Sequence, residues 1–353
     1  MAVLPDIQKI AVLRANALGD LIFALPALTA LRQTYPEAEI VLLARQWHRD
    51  FLSQRPAPVD RVIVIPQGGI GSESAVGQDP EELANFFRAM VAERFDLAIQ
   101  LHGGGRNSNP FCQNLGARTT IGLRTPDALP LDRWVPYVYY QSEILRYLEV
   151  VALVGAKTTE VQPKITVTEV DRAEARQVLA EVPAPVSAQP LIALHPGATD
   201  SRRRWSTTKF AALGDFLVEQ GSRVVVTGTA PERPLVEAVV RQMRSPALDL
   251  AGKLSLGGLT GLLSGCQLVI SNDSGPLHLA AAVGTATIGI YWCGNLITAG
   301  LPLRSQHRPL ISWRLDCPVC GLDCTKHHCE HRDSFVDDVS VEEVETMALE
   351  LLP

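Results

Sequence analysis

Short apolar runs alternate along the chain with longer segments in which apolar residues recur every three or four positions. In the first half this pattern predicts strands at 10–13, 40–43, 62–65 and 97–101, and helices at 21–31, 80–93 and 142–154. Such short runs between turn residues are typical of buried strands. Strands that alternate with amphipathic helices indicate an α/β fold with a parallel sheet. Pro26 lacks an N–H and crowds the carbonyl group of Ile22, so we expect it to kink the helix or to separate its first turn.

A second series of the same kind begins near residue 190. It comprises predicted strands at 191–194, 224–226, 248–250, 267–270 and 287–291, with helices at 207–219, 255–263 and 276–283. Between the two series, a helix at 170–179 and the sequence Pro183-Ala184-Pro185 indicate a linker. The predicted organisation is an N-terminal domain over 1–165, a linker with one helix over 166–189, a C-terminal domain over 190–335 and a C-terminal helical segment over 336–353. The last segment is a candidate to pack on the N-terminal domain.

One predicted loop of the second series carries polar residues between a strand and a helix. Asp273 and Ser274 suit a helix N-cap, and Pro276 suits a first helical turn. Gly275 allows a ligand to come close to the free amides at the positive end of the helix dipole, which favours an anion. His278, one turn further on, is placed to reach the same anion. The alternative is a well-capped turn with a solvated aspartate and a core histidine.

Two further loops of the second series also begin where a predicted strand ends. The loop over 195–205 contains Gly197 and three consecutive arginines at 202–204, which suit phosphates, although a solvated surface run is the alternative. The loop over 227–233 contains Glu232, which could bind a ribose or a base or could be a helix-start acid. The sequence has no D-x-D pair, so we expect arginines and helix N-termini, rather than Mg²⁺, to neutralise phosphates.

In the first half, Asp20 follows Gly19 where the first predicted strand meets the first helix. A carboxylate there is a candidate general base, and the glycine admits a substrate. The alternative is an acidic residue that only benefits from the helix dipole. A second polar loop, over 102–109, follows another strand. The first strand is not followed by G-x-G-x-x-G, and G-x-x-x-x-G-K-[ST] is absent from the sequence, which argues against a dehydrogenase and a P-loop NTPase.

Composition narrows the class of protein further. The 353 residues are 46% hydrophobic and 20% charged, with a net charge of −6, which gives no sign of nucleic-acid binding. No apolar run approaches the roughly 20 residues of a membrane helix. The first residues lack a basic segment followed by an apolar one, so we expect no signal peptide. These features predict a cytoplasmic protein in which the seven cysteines are reduced.

Four of the cysteines are clustered near the C-terminus. They are Cys317, Cys320, Cys324 and Cys329, and His327, His328 and His331 lie beside them. Four thiolates at this spacing can surround one tetrahedral ion, so we expect a structural zinc or iron, between which the spacing does not distinguish. The alternative is a set of reduced thiols without metal. Such an ion would fasten the fold and take no part in the chemistry.

Three segments resemble motifs of glycosyltransferase family 9, the lipopolysaccharide heptosyltransferases. They are LGDL at 18–21 with LPAL at 25–28, LHPGA at 194–198 with RRW at 203–205, and DSGPLHLA at 273–280. The resemblance follows the family's order over nearly the whole chain. It implies a GT-B architecture, in which two Rossmann-like parallel-sheet domains face a central cleft. The acceptor would bind the N-terminal domain and the nucleotide-sugar the C-terminal domain.

The resemblance also implies roles for single residues. Asp20 would be the base that deprotonates the acceptor hydroxyl, and Arg203 stands where the family usually has lysine. Phe23 stands where some members that act next to lipid A have histidine. The candidate donor-binding residues are Gly197, Ala198, Arg203, Arg204, Thr229, Glu232, Asp273, Ser274, Gly275, Pro276 and His278. The candidate acceptor-binding residues are Asn16, Gly19, Arg106 and Asn107.

Together with this resemblance, the sequence predicts an inverting glycosyltransferase that needs no cofactor for catalysis. It would move a heptose from ADP-heptose to a hydroxyl of a lipopolysaccharide core or other lipid-linked acceptor, as a cytoplasmic protein with peripheral contact to the inner membrane. One alternative is a related transferase with another nucleotide-sugar or a protein acceptor. Another is a non-catalytic scaffold that binds a nucleotide-sugar or a metal. Asp20 and the motif at 273–280 argue against the scaffold.

Overall fold

Each half of the chain forms one six-stranded sheet in which every strand pairs in parallel with its neighbours. The computed structural model describes residues 2–70, 79–180, 189–303 and 305–352. The chain divides into a first unit, Met1–Thr166, and a second unit, Val167–Pro353. Helices lie between most successive strands, so the predicted α/β class with two parallel sheets is confirmed.

The first sheet has the strand order β3-β2-β1-β4-β5-β6. Its strands are β1 (Lys9–Leu13), β2 (Glu39–Ala44), β3 (Arg61–Val64), β4 (Leu97–Gln100), β5 (Thr119–Arg124) and β6 (Arg133–Pro136). The helices of the first unit are α1 (Leu18–Thr34), α2 (Gln46–Leu52), α3 (Pro80–Glu93), α4 (Ser108–Gln113) and α5 (Glu143–Ala152).

The second sheet has the strand order β12-β11-β10-β7-β8-β9. Its strands are β7 (Leu191–His195), β8 (Arg223–Val226), β9 (Ala247–Asp249), β10 (Leu268–Asn272), β11 (Ala286–Trp292) and β12 (His307–Ser312). The helices of the second unit are α6 (Glu169–Ala180), α7 (Thr207–Glu219), α8 (Arg233–Gln242), α9 (Leu256–Ser264), α10 (Gly275–Ala282), α11 (Cys293–Ala299) and α12 (Val341–Leu351).

The two sheets share one topology when the strands of each are counted from its own first strand. Chain order reverses between β1 and β4 in the first sheet and between β7 and β10 in the second. Ligands of open parallel sheets bind beyond the carboxyl ends of the strands at such a reversal. The loops that follow these four strands are among the polar loops that were identified from the sequence.

Helix α1 is continuous across Pro26, so the expected separation of its first turn is wrong. Every residue from 21 to 28 is buried. A proline inside a helix costs about 3 kcal/mol. Burial of one large apolar side chain contributes about 1.5–3 kcal/mol. The packing of several such side chains therefore outweighs the proline.

Helix α6, which the sequence places in a linker, belongs to the second unit, where it packs against α9. The Asp171 carboxylate accepts a hydrogen bond from the Thr168 amide (2.9 Å), and the Asp171 amide donates to the Thr168 hydroxyl (3.2 Å). A Cβ atom at Gly261 of α9 would lie 2.1 Å from the Asp171 carbonyl oxygen, so this approach requires glycine. The sequence Pro183-Ala184-Pro185 lies outside the described residues.

Helix α12 also packs within the second unit, against α7, β11 and β12. Val344 and Ala348 are fully buried in the core of that unit. Ser340 caps the helix and forms a reciprocal pair with Glu343. Its apolar face therefore completes the core of the second unit, and the expectation that it packs on the N-terminal domain stays a prediction.

Candidate active site

Asp273 lies at the carboxyl end of β10, immediately before α10, and only 2% of its surface is exposed. One carboxylate oxygen accepts a hydrogen bond from Nη1 of Arg203 at 2.9 Å. The other oxygen lies 3.0 Å from Nε2 of His278. Asp273 is therefore a buried carboxylate that orients a cationic side chain and an imidazole, not the solvated aspartate of a simple capped turn.

The first turn of α10 begins at Ser274, which is the N-cap residue and has an extended backbone. Its hydroxyl lies 2.9 Å from the hydroxyl of Ser271, so the Ser274 side chain does not cap the helix. Pro276 has no N–H, and the amides of Gly275 and Leu277 point out of this turn. An anion at this helix start would meet these amides and the positive end of the dipole.

Asn272 fastens the loop after β7 to the end of β10. Its Oδ1 atom accepts from the Trp205 amide at 3.0 Å, and its Nδ2 atom donates to the Pro196 carbonyl at 2.8 Å. The side chain is completely buried. The acceptor and the donor of the Asn272 side-chain amide therefore hold the loop after β7 in a fixed position against the end of β10.

The three consecutive arginines have different partners. Arg202 makes a bidentate ion pair with Asp200, whose shortest contact is 2.6 Å. Arg204 donates twice to the Ala198 carbonyl, at 2.9 and 2.7 Å. Arg203 contacts Asp273 and keeps 26% of its side chain exposed. Since a guanidinium has five N–H donors, Arg203 is best placed to bind a phosphate as well.

Glu232 lies against the loop after β7, and Gly197 makes this approach possible. A Cβ atom at Gly197 would lie 2.2 Å from Oε1 of Glu232, so a larger residue would displace this carboxylate from its present position. Oε2 accepts from the amide and the hydroxyl of Thr229, both at 2.8 Å. Burial raises the pKa of Glu232, but the Thr229 bonds and the charges of His195 and Arg204 lower it overall. An ionised carboxylate here suits the hydroxyl groups of a ribose.

In the first unit, Asp20 lies in the first turn of α1, at the switch point between β1 and β4. Its Oδ1 atom accepts from Nη2 of Arg14 at 2.6 Å, and its Oδ2 atom accepts from the Ala17 amide at 2.9 Å. Arg14 is buried, donates to the Leu101 carbonyl at 2.7 Å and lies over the Tyr147 ring. Asp20 keeps 32% of its side chain exposed, so it is held in place but remains accessible.

A second carboxylate shares Arg14. Glu143 lies 3.6 Å from Arg14 and accepts hydrogen bonds from Arg146 and Tyr147. Burial raises the pKa of Glu143, although Arg14 and Arg146 oppose this effect. Because the shorter contact of Arg14 is to Asp20, Arg14 serves mainly to hold Asp20.

The family assignment follows from comparison with known proteins. The model of glycosyltransferase family 9 (heptosyltransferase) matches residues 83–312. The chain belongs to glycosyltransferase family 9. Lipooligosaccharide heptosyltransferase 2 of Haemophilus influenzae is 26% identical over 300 residues, which cover 80% of this chain and 83% of that protein. The motif-based identification of the family is therefore confirmed, and the chain is a glycosyltransferase.

Two solved structures share the fold of this glycosyltransferase. A family 9 glycosyltransferase from Veillonella parvula superimposes with a TM-score of 0.81 at 22% identity, over 99% of both chains. The ADP-heptose LPS heptosyltransferase II of Escherichia coli superimposes with a TM-score of 0.75 at 21% identity, over 98% of both chains. The likeness extends over both units, so each of the two sheets has its counterpart in these proteins.

The candidate acceptor residues of this glycosyltransferase lie in the loops after β1 and β4. Asn16 and Gly19 are half-buried beside the start of α1. Arg106 is exposed and lies 3.8 Å from Asp127, and the exposed Asn107 precedes α4 without a capping bond from its side chain. The role of these four residues in acceptor binding stays a prediction, because their contacts do not converge on one ligand. None of the helices within the described ranges is both long and apolar enough to span a membrane.

The cysteine segment differs from the predicted set of four sulfurs. The ligand atoms of Cys317, Cys320, Cys329 and His331 all lie within 4.8 Å of one another. Cys324 lies 3.9 Å from Cys329 but does not belong to this group. Sequence spacing alone could not separate Cys324 from His331, because both lie within a few residues of Cys329. The cluster could hold a metal ion through three sulfurs and one nitrogen.

His48 is buried and His102 is half-buried, and both face the charges of Arg14 and Arg45. Nδ1 of His102 accepts from the Ala15 amide, and Nδ1 of His48 accepts from the Arg45 amide, both at 3.3 Å. Burial, followed by the charges of Arg14 and Arg45, lowers the pKa of each histidine to about 3. Both imidazoles are therefore uncharged at neutral pH.

Because His48 is buried and uncharged, we expect the folded protein to lose stability in mild acid. The ordinary pKa of histidine in an unfolded chain is about 6.5. As the pH falls below that value, His48 binds a proton in the unfolded state, whereas in the folded state it binds a proton only near pH 3. Stability is thus complete above pH 6.5 and falls below it, by about 2 kcal/mol at pH 5 for His48 alone.

Urea unfolding between pH 7.5 and pH 5 measures this loss. In His48→Asn, the amide oxygen can still accept from Arg45, and the variant should lose about 2 kcal/mol less than the parent between pH 7.5 and pH 5. Equal losses in both proteins would contradict the assignment of a neutral, buried His48.

Proposed function

We propose that this glycosyltransferase transfers a heptose from ADP-heptose to a hydroxyl group of a lipopolysaccharide core, with inversion at the anomeric carbon. The similarity to proteins named for heptosyl transfer and for ADP-heptose supports this donor. A lipid-linked acceptor would bring the enzyme to the cytosolic face of the inner membrane. The domain roles follow the family resemblance, with the acceptor on the first unit and the donor on the second.

The observation that carries the proposal is the cluster at the switch point of the second sheet. Arg203, the buried Asp273 and His278 converge where α10 begins. A diphosphate carries two negative groups, and an arginine together with helix N–H donors can neutralise them without a metal ion. Glu232 would bind the ribose hydroxyls of the same nucleotide, with Thr229 holding its carboxylate.

The proposed reaction is a single displacement. The acceptor oxygen forms a bond to the anomeric carbon while its proton passes to the Asp20 carboxylate. The bond between the anomeric carbon and the diphosphate oxygen breaks, and ADP leaves with the electron pair. Arg203 and the amides at the start of α10 stabilise the charge that develops on the leaving group. Arg14 and the Ala17 amide keep Asp20 oriented, and its carboxylate retains lone pairs to accept a proton.

Thermal unfolding with nucleotides tests the donor assignment first. A ligand at about 100 times its Kd that binds only the folded state adds about 2.7 kcal/mol of stability. We expect ADP, but not UDP, GDP or NAD, to raise the melting temperature, equally with and without added Mg²⁺. Release of ADP from ADP-heptose, dependent on a heptose-deficient core lipopolysaccharide, would then establish transfer.

The same measurement can refute the proposal. A preference for UDP or GDP would remove heptose from ADP-heptose as the donor while leaving a glycosyltransferase. Binding of ADP without turnover on any core acceptor would favour a protein acceptor or a scaffold. A melting temperature that no nucleotide changes would contradict the donor site itself.

A further inference from the structure

The cysteine segment has the backbone of a metal-binding turn. The Cys317 carbonyl accepts from the Gly321 amide, and the Cys317 amide donates to the Leu322 carbonyl, both at 2.9 Å. Gly321 has a φ of +70°, which closes the turn. The closed turn brings the sulfurs of Cys317 and Cys320 within 4.8 Å of each other.

His331 completes this turn as the fourth donor. Its Nδ1 atom is buried, with no hydrogen-bond partner in the described part of the chain, which is an environment suited to a ligand atom. In a tetrahedral zinc site with bonds of about 2.3 Å, the sulfurs lie about 3.8 Å apart. The 4.8 Å limit on the distances among Cys317, Cys320, Cys329 and His331 fits one such ion after a small contraction. Three thiolates and one imidazole form a common structural zinc site.

The segment over 332–339, here called the strap, starts directly after His331 and runs along the arginine loop over 201–204. Three hydrogen bonds join them: Ser201 Oγ to the Arg332 carbonyl at 3.4 Å, the Phe335 amide to the Arg202 carbonyl at 2.7 Å, and Ser334 Oγ to the Arg204 carbonyl at 2.6 Å. The residues on both sides of Arg203 are therefore held by the strap.

The strap continues beside the residues that follow the loop. The Ser206 amide donates to the Asp337 carboxylate at 3.0 Å, and the Trp205 indole donates to the Val339 carbonyl at 2.8 Å. Its downstream end leads into α12, whose apolar face lies in the core. Its upstream end begins at His331, so an ion bound there would fix that end as well.

We propose that Cys317, Cys320, Cys329 and His331 bind one Zn²⁺, and that this ion positions Arg203 for the donor diphosphate by fixing the upstream end of the strap. The inference rests on the proposed function for the identity of the diphosphate. The ion acts on donor affinity through the order of the arginine loop and does not touch the reacting atoms. A loop that is ordered before binding loses less conformational entropy when the ligand arrives.

Two variants test the ligand set. Elemental analysis of the purified protein should find one zinc per chain, and Co²⁺ in its place should give the absorption of a site with three thiolates. His331→Ala should lose the metal, whereas Cys324→Ser should retain one equivalent. Loss of metal from Cys324→Ser with retention by His331→Ala would overturn this set, and one equivalent of iron would overturn the identity of the ion.

The coupling is tested on the parent protein, so it does not depend on the folding of a variant. Removal of zinc by a chelator should raise the calorimetric Kd for ADP about tenfold, and added Zn²⁺ should restore it. Amide hydrogen exchange over 201–206 should accelerate without zinc and recover with it. Ser334→Ala in the zinc-loaded protein should weaken ADP binding while the zinc content stays at one.

Each result bears on a different part of the inference. Equal exchange rates and an equal Kd with and without zinc would overturn the coupling, and a protein that binds no metal would overturn the whole inference. If the zinc-loaded protein does not bind ADP, the proposed function fails. Zinc-dependent exchange over 201–206 would in that case still support the effect of the ion on the loop.

Discussion

Replacement of Asp20 by asparagine is expected to slow heptosyl transfer by about a thousandfold, within the range usual for loss of a general base. Asparagine has nearly the same shape and keeps one oxygen that can accept from the Ala17 amide. It cannot take the proton of the acceptor hydroxyl. Because Asp20 belongs to the first unit and the proposed donor residues to the second, the Kd for ADP should not change.

Initial rates of ADP release and calorimetry with ADP measure the two quantities separately. Asp20 also pairs with Arg14, so the melting temperature must be recorded to detect a loss of structure. Glu160→Gln is a matched control, since Glu160 is an exposed residue of the first unit whose carboxylate forms a surface ion pair with Lys164 at 3.2 Å. Loss of ADP binding together with transfer would show that Asp20 is structural, and retained transfer would remove it as the base.

Replacement of Arg203 by alanine is expected to weaken ADP binding by about a hundredfold, since hydrogen bonds to charged groups contribute about 1.5–3 kcal/mol each. The variant also removes one of the partners that hold the buried Asp273 carboxylate. Arg203→Lys separates the two effects. Lysine restores a cation beside Asp273 but lacks the planar guanidinium that can bind a phosphate with two hydrogen bonds. The affinity for ADP should therefore recover to within about tenfold of the parent.

Calorimetry with ADP and chemical unfolding give the measurements for this series. Arg241→Ala removes another arginine from the second unit, on the exposed surface of α8, and should leave both quantities unchanged. If Arg203→Ala loses stability but binds ADP as tightly as the parent, Arg203 serves Asp273 and not the donor.

The polar loops of the site were predictable because each follows an apolar strand. The runs at 10–13, 191–194 and 267–270 mark three strands that end at the switch points, and these strands were found. Strand β5 was missed because only Ile121 and Leu123 are large apolar residues in its sequence. Strand β6 was missed because it is a four-residue edge strand that ends in proline.

The residues that support the site were harder to find than those that line it. Arg14 was not singled out, because an arginine at the end of a strand is usually solvated, and its burial depends on the distant Leu101 and Tyr147. Asn272, directly before the motif at 273–280, was given no role, since its partners Pro196 and Trp205 lie about seventy residues earlier. A polar residue at the end of an otherwise apolar strand was the available signal for both.

The indole of Trp205 gives the donor loop an optical reporter. Trp205 is the buried one among the five tryptophans, all of which lie in the described ranges, and it packs edge-on against Phe210. A tryptophan without contact to water emits at shorter wavelength than exposed ones such as Trp313. The blue edge of the intrinsic fluorescence therefore comes from a side chain one position from Arg204, and its quenching by acrylamide would report, without any label, how often this loop opens.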